Sequence, residues 1–522
     1  MGEDVQLHLW KRIAAVLLAA LVVWSLLAMQ MPNRAGAATK GIATSEEAIE
    51  RARQLNLLAE DAEASAERRT TNGSDTWTVS FVPGKNTTVQ LPSFGEIKLS
   101  SVTGELLTFV SSSWNNDAQL EFDAAKEKIS DEEAIRIARN FVQELPWKLD
   151  SEWIIDPYQE GEYWARGDDK TAHKVRFDRA HKGIRLDQQT FEVYVDRITG
   201  EITTYGISWS KVQFADPTTG IIDAKQAGRL FYEQVKPFLY LSEVTNEPVY
   251  ALHGQYTMDA RTGKLPADRN SGAVAVYTGA KTGFIATSAV QKRLLSNYVL
   301  ELQYAYTDIA GGKVDLFYRL ELHPEAPIFT YLGVPPEINA KTGKWQSFIG
   351  ESIQKPFPEP GQWLVDSSAA ADKIGYAAAI VLNHELVTLT DEPIIKNGSV
   401  LIPFRGLMEK IGATVSWDQK SKKVTAQAPG KKVELTINSS TALINGVKYN
   451  LNTPAQLVDG RTYIPVRFVS EALGAEVRWE HPVRLVTIQT DPSLKRLTDA
   501  ELRMLQFKAQ ISWEEKQPVK TK

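Results

Sequence analysis

Two arginines and two tryptophans recur at matched places in the last third of the chain: Arg405 with Arg467 and Trp417 with Trp479, each pair 62 residues apart. A guanidinium presents a planar fork of donors that suits carboxylate or phosphate oxygens, so the arginines could grip an anionic wall polymer or a carboxylate. An indole face could stack on a sugar ring. Plainer roles fit the same positions and are the ones the pattern favours. For the arginines that is a salt bridge or cap repeated with the fold, and for the tryptophans it is core packing. Trp114, Trp147, Trp153 and Trp164 gather in another stretch, where packing again outweighs carbohydrate or peptide contact.

Catalytic chemistry finds little footing. The seven histidines form no His-x-His pair, and beyond residue 37 the nearest two, His173 and His181, are eight apart. His384-Glu385 lacks the second histidine of a zinc-protease helix, and no Gly-Lys precedes Ser or Thr as a phosphate loop requires. Gly206-Ile-Ser-Trp-Ser210 lacks the closing glycine of a nucleophile elbow. Asp131, Glu132 and Glu133 sit where acids favour a helix start, while Asp168-Asp169 lies in a polar stretch. Arg166-Gly167-Asp168 matches an adhesion tripeptide, too short a match to carry weight. No catalytic residue, metal ligand or cofactor is therefore assigned. A hydrolase built on two distant carboxylates stays open, and a buried acidic pair in a cleft would be its mark.

Composition bounds the rest. The 522 residues carry 59 Lys+Arg against 64 Asp+Glu, and 43% are hydrophobic, the balance of a globular protein of about three or four domains. A net charge of −5 argues against nucleic acid as a partner. With no cysteine, disulfides, thiol nucleophiles and iron-sulfur clusters are excluded. Lys11 and Arg12 precede an uncharged run of 17 residues, Ile13 to Met29, followed by Pro32 and Ala35-Gly36-Ala37-Ala38. That pattern reads as a signal peptide or N-terminal membrane anchor over residues 1–37. In either case residues 38–522 are expected outside the cytoplasm, secreted or held to the cell membrane by residues 13–29.

The elements that must position these residues follow two patterns. Leu99–Leu106, Val195–Ile202, Met258–Leu265 and Ile338–Trp345 share an apolar residue, a small polar residue, two variable positions, Thr-Gly, one variable position and an apolar residue. Alternation through Phe191, Val193 and Val195 marks a hairpin with one buried face, and the glycine supplies the positive φ of its turn. Helices precede the hairpins: Thr44 with Glu47, Ser130 with Glu133 and Asp223 with Gln226 read as capped starts. Ala134, Ile137, Ala138, Phe141 and Leu145 line one apolar face. Unequal spacings of 96, 63 and 80 between the Thr-Gly pairs exclude a regular solenoid.

Helix, strands and a Val-Asp-x-x-Thr-Gly-Glu-Ile hairpin resemble the PepSY-type unit, in the arrangement of the YcdB/YcdC repeat family of bacterial exported proteins, over roughly residues 42–352. The resemblance implies an envelope role, since such modules are associated with protease propeptides and with inhibition or chaperoning of peptidases.

In the last third, Leu401 to Trp417 aligns without a gap on Tyr463 to Trp479, and the match extends back to Asn397-Gly398 on Asp459-Gly460. Each copy reads hairpin, short helix, strand, with Pro403 and Pro465 in the first helical turn and Gly412 and Gly474 just past the helix end. This resembles the copper amine oxidase N-terminal-like domain, or stalk domain, over about residues 381–490. In that family the module is a noncatalytic appendage, and the copper and quinone lie in another domain.

The expected fold is therefore α+β. Repeated helix-on-antiparallel-sheet (PepSY-like) units occupy 38–115, 116–212 and 213–352, the last holding two. A Pro-rich linker follows at 353–378, then the duplicated stalk-type domain at 379–490 and a helical tail at 491–522. The expected function is a noncatalytic binding or scaffold role toward a cell-wall polymer or extracellular protein, with membrane contact through the N-terminal helix if it is uncleaved. The alternative is a regulator, inhibitor or chaperone of an extracellular peptidase.

Overall fold

A computed structural model describes residues 41–58, 60–71, 74–82, 94–112, 127–144, 152–156, 172–242, 244–252, 256–262, 276–308, 311–323, 326, 336–347, 351–354, 356–517 and 519. Residues 13–29, Trp114, Trp147, Trp164, Arg166–Asp169 and Gly263 lie outside them. Among the described residues no helix is long and apolar enough to cross a membrane. The chain is α+β and divides into two compact units.

The first unit opens with helix α1 (Ser45–Gln54), whose N-cap Thr44 accepts the Glu47 amide at 3.2 Å and so satisfies one orphan donor. Its Ala48 and Ala52 are fully buried. Strands Glu63–Thr71, Ser74–Val82, Phe94–Ser100 and Leu106–Ser112 pair antiparallel in succession, and Ile202–Ser208 adds to the last. Val79, Ile97, Leu99, Phe109 and Ile207 fill the core, and the Trp77 indole donates to the Ile42 carbonyl at 3.1 Å.

In the second unit, Ser130 caps α2 (Asp131–Glu144) through the Glu133 amide at 3.2 Å. Strands Glu152–Ile155, Ala172–His181 and Ile184–Asp196 run antiparallel. The hairpin Tyr298–Asp308/Lys313–Leu322 joins them in parallel at Tyr304 and Leu186. The described Thr-Gly turns share one wiring. The Gly104, Gly200 and Gly343 amides donate to the Ser100, Asp196 and Asn339 carbonyls at 2.8, 3.0 and 2.9 Å, with φ of +67°, +75° and +68°. Side-chain oxygens of Ser100, Asp196 and Asn339 accept the threonine amides at 3.1, 2.7 and 2.9 Å.

A further turn of this kind escaped the sequence pattern. Between strands Phe238–Leu241 and Pro248–Ala251, Asn246 takes the glycine's place at φ +55°, its amide donating to the Ser242 carbonyl at 2.8 Å. Asparagine is among the few side chains that visit this region cheaply.

Asp223 caps α3 (Ala224–Gln234) through the Gln226 amide at 2.6 Å, and α4 (Thr287–Leu295) follows. The stretch 353–378 is more than the linker expected of it. It contains α5 (Gln362–Ala371), which packs on α3 and buries Leu364 and Val365 completely. Its prolines end at Pro360, leaving the following apolar positions free to take helical spacing.

Residues 379–490 form three small sheets around one core. The duplication folds about a local twofold: in the pairing of Ser399–Pro403 with Arg461–Pro465, Ile402 faces its own equivalent Ile464, and Leu401 and Pro403 face Pro465 and Tyr463. Each strand leads into a short helix, α6 (Phe404–Lys410) or α7 (Val466–Leu473), ended by Gly412 at φ +84° or Gly474 at φ +67°. Pro403 serves as the N-cap of α6 itself.

The polar tail is a packed helix, α8 (Asp499–Glu515), started by a capping box of Thr498 and Glu501. Leu502, Leu505 and Ala509 pack with Val381 and Leu485, while Met504, Phe507 and Ile511 pack with the core of the α3–α5 region. Apolar residues on two faces explain why its sequence shows no single stripe.

Candidate ligand-binding cleft

An open cleft of about 1040 Å³ lies beside the second copy of the duplication. Ile395, Ser399 and residues Asn450 to Thr453 line it, facing Arg467, Trp479, His481 and Arg484. Antiparallel pairing of equivalent strands places the first copy's hairpin beside the second copy's helix start, which brings Ile395 and Val400 to Val466 and Arg467.

The four sequence candidates therefore part company. Arg467 and Trp479 line the cleft, and Arg405 and Trp417 do not. Arg405 instead reaches Glu409, one helical turn on, at 3.6 Å and the Val415 carbonyl at 3.4 Å, an exposed pair on its own helix. Core packing of the tryptophans is corrected, since Trp417 and Trp479 are each 37% exposed. Both sit near the end of an edge strand, Thr414–Asp418 and Glu476–Glu480. The Trp417 indole donates to Gln419 at 2.8 Å.

Among the described residues the lining includes Arg467, His481 and Arg484 and contains no Asp or Glu. Arg484 follows a short 3₁₀ turn, His481–Val483, with its own backbone left-handed at φ +52°. Its guanidinium donates to the Tyr376 and Ile374 carbonyls at 3.2 and 3.5 Å, neutral partners that leave its charge uncancelled. The Tyr376 hydroxyl donates to the Val483 carbonyl at 2.8 Å, and burial raises its pKa. Asparagine, serine and threonine supply both donors and acceptors opposite the arginines.

Elsewhere the charged groups hold the fold together. Asp156 and Asp178 are the buried acidic pair that a hydrolase would need, and both belong to arginine pairs. Arg185 Nη1 lies 2.6 Å from Asp178 and 3.2 Å from Asp156, and Arg176 Nε lies 2.9 Å from Asp178. Burial pushes the Asp178 carboxyl up against the pull of these arginines. The Asp131–Glu133 cluster occupies the first turn of α2 as read, with Asp131 also 2.8 Å from His173 Nδ1. That histidine also places Nε2 2.7 Å from the Ile129 carbonyl, pinning the helix start, a role with no sequence signal. His384 sits in a tight turn at φ +72°. Among the described residues no three His, Asp or Glu side chains gather as metal ligands, so they do not fit a copper centre.

These elements have relatives. Residues 381–488 match the family described as copper amine oxidase N-terminal domain. The terminal domain is similar to that module. Residues 46–209 match the YcdB, YcdC repeated domain, in the order expected, while residues 213–352 lie outside both matches. A primary amine oxidase from Klebsiella aerogenes is 24% identical over 95 residues, which is 18% of this chain and 13% of the enzyme. The chain thus spans a small part of that enzyme's length. The matched N-terminal domain is the noncatalytic part of its family.

Proposed function

We propose that the chain is an exported, noncatalytic envelope protein whose terminal domain holds a cell-wall polymer in the cleft of Arg467 and Trp479. One observation carries this reading. Of two equivalent Arg–Trp pairs in the duplication, the second lines an open cleft of about 1040 Å³ together with amide and hydroxyl side chains. Export rests on the apolar run at residues 13–29 and the small residues after it. The repeated units at 38–115, 116–212 and 213–352 then serve as a scaffold that presents the terminal domain.

The test is a pull-down with the full chain, with purified cell wall in one arm and a secreted proteome in the other. Retention on wall at physiological salt is the expected result. Capture of a peptidase without wall retention would overturn it and establish the regulator reading instead.

A further inference from the structure

We propose that Asn397 is a site of spontaneous deamidation, its carboxamide turning into a carboxylate beside the cleft by reaction with the Gly398 main chain. Asn397 and Gly398 form the two-residue turn between strands Ile394–Lys396 and Ser399–Pro403, both with positive φ, +51° and +72°. The Asn397 side chain is exposed and has no hydrogen-bond partner among the described residues. Nothing lies within 4 Å of where a Gly398 Cβ would stand, so the approach to its amide nitrogen is open. The strand before the turn is three residues long and forms the edge of its sheet, so local opening there meets little resistance.

The reaction balances without an oxidant or reductant. Hydroxide takes the Gly398 amide proton, the nitrogen bonds to the Asn397 Cγ, and the Cγ–Nδ2 bond breaks to leave a succinimide, ammonia departing with a proton from water. Water then opens the ring. Cleavage at Cγ restores the main chain with aspartate, whereas cleavage at the Asn397 carbonyl carbon routes the main chain through Cγ as isoaspartate, one carbon longer. Two other turns sort the outcome. Asp459-Gly460 holds the equivalent place in the second copy with φ of +48° and +77°, so this turn accommodates the aspartate product as it stands. Asn445-Gly446 is the same dipeptide in a hairpin turn, but its Oδ1 accepts the Lys432 amide at 2.7 Å and its Nδ2 donates to the Gly430 carbonyl at 3.0 Å, which holds the carboxamide away from its own main chain. A third such pair, Asn72-Gly73, lies outside the described residues. Isoaspartate at 397 would shift Gly398 and Ser399, which line the cleft.

The experiment holds the full chain in mildly alkaline buffer and maps it over time by peptide mass spectrometry, with isoaspartyl methyltransferase labelling to detect isoaspartate. Asn397 should convert at least about tenfold faster than Asn445, the weight of the two hydrogen bonds that Asn445 must break first. In denaturant the two sites should converge, since only the fold separates them. Equal rates in the folded chain, or an Asn397 that stays intact while the denatured chain converts, would overturn the proposal. Asn397→Asp should keep the parent's melting temperature, and a marked fall would contradict the equivalence of this turn with that of Asp459.

Discussion

Lys292 offers the sharpest test of how the second unit is held together. It lies on α4 with 1% of its side chain exposed, its Nζ 2.6 Å from Asp372 and 2.9 and 3.0 Å from the two Glu514 oxygens. Glu514 comes from α8, Asp372 ends α5, and Tyr232 of α3 donates its hydroxyl to Asp372 at 2.6 Å, so four helices meet at one ammonium. Lys292→Met keeps the buried stem and removes the charge, leaving the Glu514 carboxylate, 7% exposed, without a counter-ion. Breaking a buried pair from one side costs about 3–5 kcal/mol. Asp372 is 30% exposed and reached by water, and Gln510 still donates to Glu514 at 2.8 Å, which places the cost near the lower bound, about 3 kcal/mol. With an m-value of about 3 kcal/mol/M the urea midpoint of this unit should fall by about 1 M. Lys292→Met combined with Glu514→Met removes both charges and should return to within about 1 kcal/mol of the parent. A single variant within about 0.5 kcal/mol of the parent, or a double variant no better than the single, would refute the reasoning.

Three further outcomes are expected. At Gly200, φ is +75° and a Cβ would lie 3.2 Å from Ile129, so Gly200→Val should cost about 2 kcal/mol and Gly200→Asn about half that, as Asn246 shows in the related turn; equal costs by thermal unfolding would count against the shared wiring. Hydrogen bonds from Arg68, and then from Ser101, hold the Asp75 carboxyl down to about 2 from an ordinary 3.8. Its folded pKa lies below the unfolded one, so its contribution is present above about pH 3.8 and disappears as pH falls toward 2. Asp75→Asn should flatten that acid limb in amide exchange along strands Glu63–Thr71 and Ser74–Val82, and an unchanged limb would contradict the assignment. Glu337 is the reverse case: 1% exposed, its carboxyl is pushed up by burial, with the Tyr240 hydroxyl opposing. Its stabilising contribution is complete below the unfolded value of 4.5 and is lost as pH rises through the folded one, so Glu337→Gln should raise the melting temperature at neutral pH, and a lowered one would sink the idea.

The local devices were the most legible part of the chain. Thr44, Ser130 and Asp223 cap helices where the spacing placed them, because capping is decided within four residues. The duplication was equally plain, since an offset of 62 held over 17 positions from Leu401. What sequence could not supply was the relation between distant segments. Trp479 and Trp417 are identical letters at equivalent places in the duplication, and the cleft wall that includes Asn450 to Thr453, Ile374 and Ala377 lies beside the first of them and not the second. The tail was read as a helix, as it is, but its packing was not legible for a related reason. With two faces buried in different cores, α8 has no single apolar stripe for a pattern to find. Asn246 was missed because the turn motif was read as needing glycine, when it needs a positive φ.

The central claim is that the second copy of the duplication, and not the first, carries the binding site. Cosedimentation on purified cell wall of the full chain, of Arg467→Ala/Trp479→Ala and of Arg405→Ala/Trp417→Ala tests it most directly. The second-copy variant should lose at least about tenfold in affinity while the first-copy variant matches the parent. Equal loss in both, or none in either, would contradict the account.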